Sequence, residues 1–337
     1  MAQIAGFRGV LPAPAKLADV VAGGYTPTPG LAADGMLARD ASRCVYRYHQ
    51  VFAGPGRSLT RKSLFCAVQL IPFADGQIRP HEHVSPAGRD AALATIRTLG
   101  GHVDAVLLGF RDPATEVERL CRKVEATSPA LELTVAGVTH KLWRISDAET
   151  IGALRRYFAP KKLHVLDGHD RYDAMCAHRA ALVSKHAPPM YSSANYGLAC
   201  LTSLDDPALA VAPRHRILRG AKRADLAALG KLFIVDKLPG AATKLDLQFA
   251  ALADAVAHQP AMVITFANEP DAWKLTLSPD VSPVAEGVSV HRALQKLDPI
   301  VIQHLVIERA FAKAEVTTAT DATAALAQLA NAGADAV

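Results

Sequence analysis

Apolar and polar positions follow two rhythms along the chain. CVYRYHQVFA (44–53) and SLFCAVQLIPF (63–73) are strand-like runs, and GPGRSLTRK between them predicts a β-hairpin. GRDAALATIRTLG (88–100) has helical spacing, and VDAVLLGF (103–110) reads as a buried strand. PATEVERLCRKVEA (113–126) places Val117, Leu120, Cys121 and Val124 on one helical stripe. LELTVAGVTHKLWRI (131–145) predicts a second hairpin. SDAETIGALRRYFA (146–159) predicts a helix opened by a capping box of Ser146 and Glu149. KLHVL then reads as a strand and RYDAMCAHRAALVSKH as a helix, followed by strands at NYGLACLTSL (195–204) and LAVAPRHRIL (209–218). Beyond about residue 220, helix and strand signals alternate through a long helix near 288–313 to an Ala-rich C-terminal helix.

This order, with its hairpins, predicts an α+β fold of mixed sheets with flanking helices. The expected division is a core over 1–205 and a C-terminal α/β portion over 206–337 packed on it.

Composition narrows the picture. The chain has 337 residues, half of them hydrophobic, enough for one large or two modest domains. A net charge of +5 without a dense basic run fits small anionic ligands as readily as nucleic acid, and the lack of a basic patch or recognition helix speaks against a DNA-associated protein. Five scattered cysteines with no CxxC pair argue against a disulfide framework or a zinc knuckle. MAQIAGFRGVLPAPAK lacks the apolar run of a signal peptide, and no stretch approaches the ~18 apolar residues of a membrane span. A cytoplasmic protein without a membrane partner is expected; the oligomeric state is not legible.

The chemistry concentrates in HVLDGHDRYDA (164–174). A strand running into Asp-Gly and then a helix offers open N–H groups and the positive end of a helix dipole, which is an anion site. Gly168 can take the tight turn, Arg171 adds a forked donor for phosphate oxygens, and His169 can donate to an anion or move a proton. Asp167 stands at the strand end. The bland alternative is an Asp-capped helix with solvated charges. Asp170 is the difficulty, because a carboxylate in the first turn repels a phosphate. Either it points away, or a magnesium ion bridges Asp167, Asp170 and the phosphate.

RPHEHVSP (79–86) is the second cluster. On a strand, His81 and His83 would share a face opposite Glu82; in a loop all three could converge. Zinc lacks a third ligand nearby, so Glu82 as a general base flanked by substrate-facing His81 and His83 is better motivated, with a surface loop of solvated charges as the bland alternative. PRHRIL (213–218) puts His215 and Arg216 at a strand start, where they could contact phosphate or form a solvent-facing basic edge.

GFRGVLP, RPHEH, LWRISD (142–147), LDGHDRYDA, APRHRIL and LDPIVIQHLV (297–306) occur in an order that resembles the prokaryotic family of domain of unknown function 1015. Its DGHHR segment in turn resembles the phosphate-contacting helix start of the ParB/sulfiredoxin-like fold, which includes free-serine kinases. The resemblance implies a ParB/sulfiredoxin-like core and a phosphotransferase acting on a small hydroxylated metabolite such as free serine. ATP, ADP or pyrophosphate would be the donor, with magnesium. It makes Glu82 the base, and Asp167, Gly168, His169 and Arg171 the phosphate turn. The alternative within the family is a non-catalytic nucleotide- or phosphate-binding regulator. The chain departs from the pattern in three ways. Asp170 replaces the second signature His, GGYT (23–26) lacks the acid of a PPYD-like segment, and the chain is C-terminally short.

Overall fold

The computed structural model describes residues 3–22, 26–30, 35–54, 57–82, 84–184, 188–189, 192–209, 213–253, 259–331 and 333–337. The chain forms two compact units, 1–210 and 211–337, and the architecture is α+β as expected.

The first unit contains strands β1 (Ile4–Ala5), β2 (Val10–Pro12), β3 (Leu37–Arg39), β4 (Val45–Gly54), β5 (Arg57–Gln69), β6 (Ile78–Arg79), β7 (Val106–Phe110), β8 (Leu131–Val135), β9 (Val138–Ile145), β10 (Leu163–Asp167) and β11 (Tyr196–Ser203). Its helices are α1 (Leu17–Ala22), α2 (Pro86–Leu99), α3 (Glu116–Glu125), α4 (Ala148–Phe158) and α5 (His169–Val183). A mixed sheet runs β6-β10-β7-β11-β5-β4-β9-β8, with β1 paired to β5 beyond the start of β4. β2 and β3 form a separate ribbon.

Alternation along the strands sorts residues to two faces. Val45, Leu64, Cys66, Val68 and Ile145 enter one core with α2 to α5, which contribute Ile96, Cys121, Leu154, Phe158 and Met175. Cys44, Tyr46, Phe65 and Leu142 face the other way, where Phe7 and Leu11 of the N-terminal segment pack on them.

Several boundaries differ from the sequence expectation. β5 is longer than expected and starts at Arg57, and β4 runs on to Gly54, because the residues assigned to the connection continue the ladder from His49↔Lys62 to Gly54↔Arg57. α4 is capped by Asp147, whose carboxylate accepts from Thr150 N–H at 2.8 Å, not by a Ser146–Glu149 box. α2 starts earlier, with Ser85 as N-cap and Pro86 in the first turn. α5 starts at His169, two residues before the expected start.

The second unit contains β12 (His215–Arg219), β13 (Phe233–Leu238), α6 (Leu245–Ala253), β14 (Ala261–Thr265), β15 (Ala272–Leu277), α7 (Asp298–Val301), α8 (Glu308–Ala310), β16 (Glu315–Ala319) and α9 (Ala322–Ala330). β13-β15-β14 form one sheet and β12-β16 another. Phe233, Ile264, Leu275, Leu305 and Phe311 belong to its own core. The long helix expected over 288–313 is shorter: α7 passes through a π-helical turn, Ile302–Ile307, into α8. Of the strand expected at 209–218, β12 covers the part from His215; 210–212 lie outside the described residues.

Candidate functional site

β6 and β10 are parallel neighbours, paired at Ile78↔Leu163 and Arg79↔His164. Their C-terminal ends therefore emerge side by side. One leads into Pro80-His81-Glu82 and the other into Gly168 and α5. Two stretches separated by more than eighty residues meet at one sheet end.

Gly168 is the N-cap of α5, with φ 90°, and no side chain caps the helix. That φ is left-handed and suits glycine. A Cβ there would also stand 2.8 Å from the Arg171 guanidinium, which folds back over the turn. Arg171 Nη2 donates to Asp167, whereas its Nε is buried and has no hydrogen-bond partner.

His169 is the hub. Its side chain is only 1% exposed, and its ring meets that of His81 edge-on at 4.5 Å. Nε2 accepts from the His81 backbone N–H at 3.2 Å. A backbone N–H can only donate, so Nε2 holds the lone pair and the ring proton sits on Nδ1. Nδ1 lies 2.8 Å from Glu82 Oε1. Burial lowers the pKa of His169 below the ordinary histidine value; the nearby Glu82 carboxylate raises it without reversing the shift. His169 is therefore a neutral donor of fixed tautomer. Glu82 is 62% exposed and so open to a ligand.

His81 Nδ1 contacts the Val165 carbonyl at 2.7 Å, so this nitrogen carries a proton and the lone pair of the neutral ring lies on Nε2. The ligand atoms of His81, Glu82 and His169 lie within 4.8 Å of one another, as a metal site would require. The tautomer works against it, because His169 presents a proton where a metal needs a lone pair. Two donors are left, fewer than the three protein ligands usual for zinc.

Asp170 turns away from the anion side of the helix. Its Oδ1 accepts from Ser85 N–H at 2.7 Å. Its Oδ2 lies against Gly88, where a Cβ would come within 2.0 Å. The acid thus braces the start of α2. Asp167 binds Arg171 instead, so the two carboxylates do not form the expected magnesium pair.

Glu82, His81, His169, Gly168, Arg171 and Asp167 are brought to one sheet end. His83 lies outside the described residues. His215 and Arg216 belong to the second unit, on β12 opposite Ala319 and Thr318. Arg216 Nη1 donates to the Arg214 carbonyl at 2.9 Å. Sequence reasoning missed Ser85 as the partner of Asp170, although Ser-Pro at 85–86 is a readable helix start.

The family model described as "Protein of unknown function (DUF1015)" matches residues 30–299. The chain belongs to the DUF1015 family. The matched span holds every residue of the cluster, whereas GFRGVLP precedes it. No curated protein matches this DUF1015 chain. Among solved structures, "Free serine kinase in complex with AMP" matches with a TM-score of 0.35 and 12% identity, over 81% of this chain and 74% of that one. A likeness that distant carries no argument about chemistry.

Proposed function

We propose that the Glu82–His169 site is the active site of a small-molecule phosphotransferase, with free serine as the first acceptor to test. The observation that carries the reading is Arg171 Nε, a buried N–H donor without a partner at the uncapped start of α5, with His169 Nδ1 and Glu82 Oε1 2.8 Å apart beside it. An unsatisfied buried donor costs roughly 1–3 kcal/mol, so the turn favours an anion that accepts from it. The helix dipole favours the same occupant.

In this reading the donor's terminal phosphoryl group rests on the Gly168 turn, held by His169 and Arg171. The acceptor hydroxyl attacks phosphorus, and the bridging P–O bond breaks toward the leaving nucleotide or phosphate. The hydroxyl proton passes to Glu82, an exposed carboxylate beside the phosphate turn. His81, with Nε2 open, is placed to hold the acceptor. Because phosphoryl transfer depends mainly on positioning and charge stabilisation, a small set of fixed donors suffices. Magnesium can arrive with the donor phosphates. No step is assigned to it, because Asp167 and Asp170 diverge.

One observation favours a second reading, a phosphate- or nucleotide-binding protein without turnover: Arg171 is already paired with Asp167. Incubation with L-serine, magnesium and ATP, ADP or pyrophosphate separates the two. Phosphoserine that disappears in Glu82→Gln supports the transferase. Donor binding without product for any donor leaves the binding protein.

A further inference from the structure

We propose that the first unit holds a second ligand site, separate from the α5 turn, for an amphipathic anion: an apolar body carrying a phosphate head. The site is a cavity of about 800 Å³ beside the sheet face that carries Tyr46, Phe65 and Leu142, and α4 reaches it with Ile151 and Arg155. Its volume falls within the ~300–1,000 Å³ of small-molecule pockets. None of the residues of the α5 turn lines it.

Two features define the occupant. Phe65 of β5 and Leu198 of β11 supply apolar surface for a hydrophobic body. Arg8, Arg39, Arg43 and Arg155 also line the cavity, and no acidic residue does among those described. None of these four forms an ion pair with a described residue. The nearby Asp40 carboxylate accepts from Tyr46 Oη and is paired with Arg144, so it does not neutralise these four, and like charges gathered around one opening raise the local concentration of anions. Arg8 is held there through Nε, which donates to the Asp40 carbonyl at 2.8 Å, leaving its other N–H groups for a ligand.

A third observation points the same way. His102, in the connection that follows α2, lines the cavity and adds a ring to its polar rim, with the Tyr196 backbone as its hydrogen-bond partner. The GFRGVLP segment, which the phosphotransferase reading leaves unused, also finds its place. Gly9 N–H donates to Tyr46 Oη at 2.7 Å, which pins this segment over the sheet and sets Arg8 beside the cavity.

The phosphate head could belong to a nucleotide or to an alkyl phosphate, and the test distinguishes them. Mant-ADP, octyl phosphate and inorganic phosphate are titrated into the intact chain by fluorescence or calorimetry. Saturable binding of mant-ADP or of octyl phosphate is expected, and whichever binds identifies the body. In an Arg171→Ala background, which disables the α5 turn, Arg39→Ala with Arg155→Ala should weaken it at least tenfold, and Arg39→Lys with Arg155→Lys should keep most of it. Both arginines are exposed, so an unchanged melting curve is expected for the paired variants. The proposal is overturned if neither amphipathic probe binds, if inorganic phosphate competes as well as they do, or if Arg171→Ala removes binding that the Arg39/Arg155 alanine pair retains.

Discussion

Asp170 accepts from Ser85 N–H and lies against Gly88. It stands where the family pattern has a second histidine, and its carboxylate serves the neighbouring helix rather than the ligand. Asp170→Ala is therefore expected to cost about 1 kcal/mol in urea unfolding while leaving phosphate binding intact. Loss of phosphate binding with unchanged stability would contradict this role. The crowd of functional residue types at LDGHDRY was legible as a helix start, and α5 begins there at His169; its anion site is the reading proposed above. The direction of Asp170 was not, because its partner is 85 positions away in sequence. The tautomer of His169 was hidden for the same reason, being set by the backbone of His81 across the sheet end.

Among the elements, α5 begins on a glycine with no side-chain cap, whereas α2 and α4 are capped by Ser85 and Asp147. α3 is held by Asp112, which accepts from Glu116 and Val117 N–H groups. The cap of α4 offers a direct check. Asp147→Ala should destabilise the chain by about 1 kcal/mol, and Ser146→Ala by much less, in paired denaturation curves. Equal losses would restore the capping box that the sequence suggested. Strand and helix types were readable from periodicity over most of the chain. Ends were harder to read because they depend on partners. The β4–β5 ladder runs into residues that look like a loop, and the last long helix is cut short around a π-helical turn.

At the scale of the whole molecule, each unit has its own apolar core. Titrating groups in the first unit make stability depend on acidity in two windows. Burial lowers the pKa of His169 and of His102, so the unfolded chain binds protons more readily than the folded one just below the ordinary histidine value of about 6.5. Stability is full above that value and falls as pH drops through the folded-state values. For His169, the incoming proton lands on Nε2, facing the His81 N–H it had accepted. Glu125 titrates in the second window. Burial raises its pKa, but the adjacent His49 ring and the hydrogen-bonded charges of Arg47 and Lys62 outweigh this and hold it at about 2. Its contribution is present above the ordinary glutamate value and is lost between there and about 2. Melting temperatures recorded against pH should fall first below about 6.5 and again below about 4.3. A flat profile between pH 7 and pH 5 would contradict the buried neutral histidines.

The central claim is that Glu82, His169 and Arg171 together transfer a phosphoryl group to a small hydroxylated acceptor. The most direct test is mass-spectrometric detection of phosphoserine from L-serine and magnesium with ATP, ADP or pyrophosphate, for the wild-type chain and Glu82→Gln side by side. The account predicts product with at least one donor, and its loss in Glu82→Gln while the donor still binds. Absence of product with every donor, or an undiminished rate in Glu82→Gln, would contradict it.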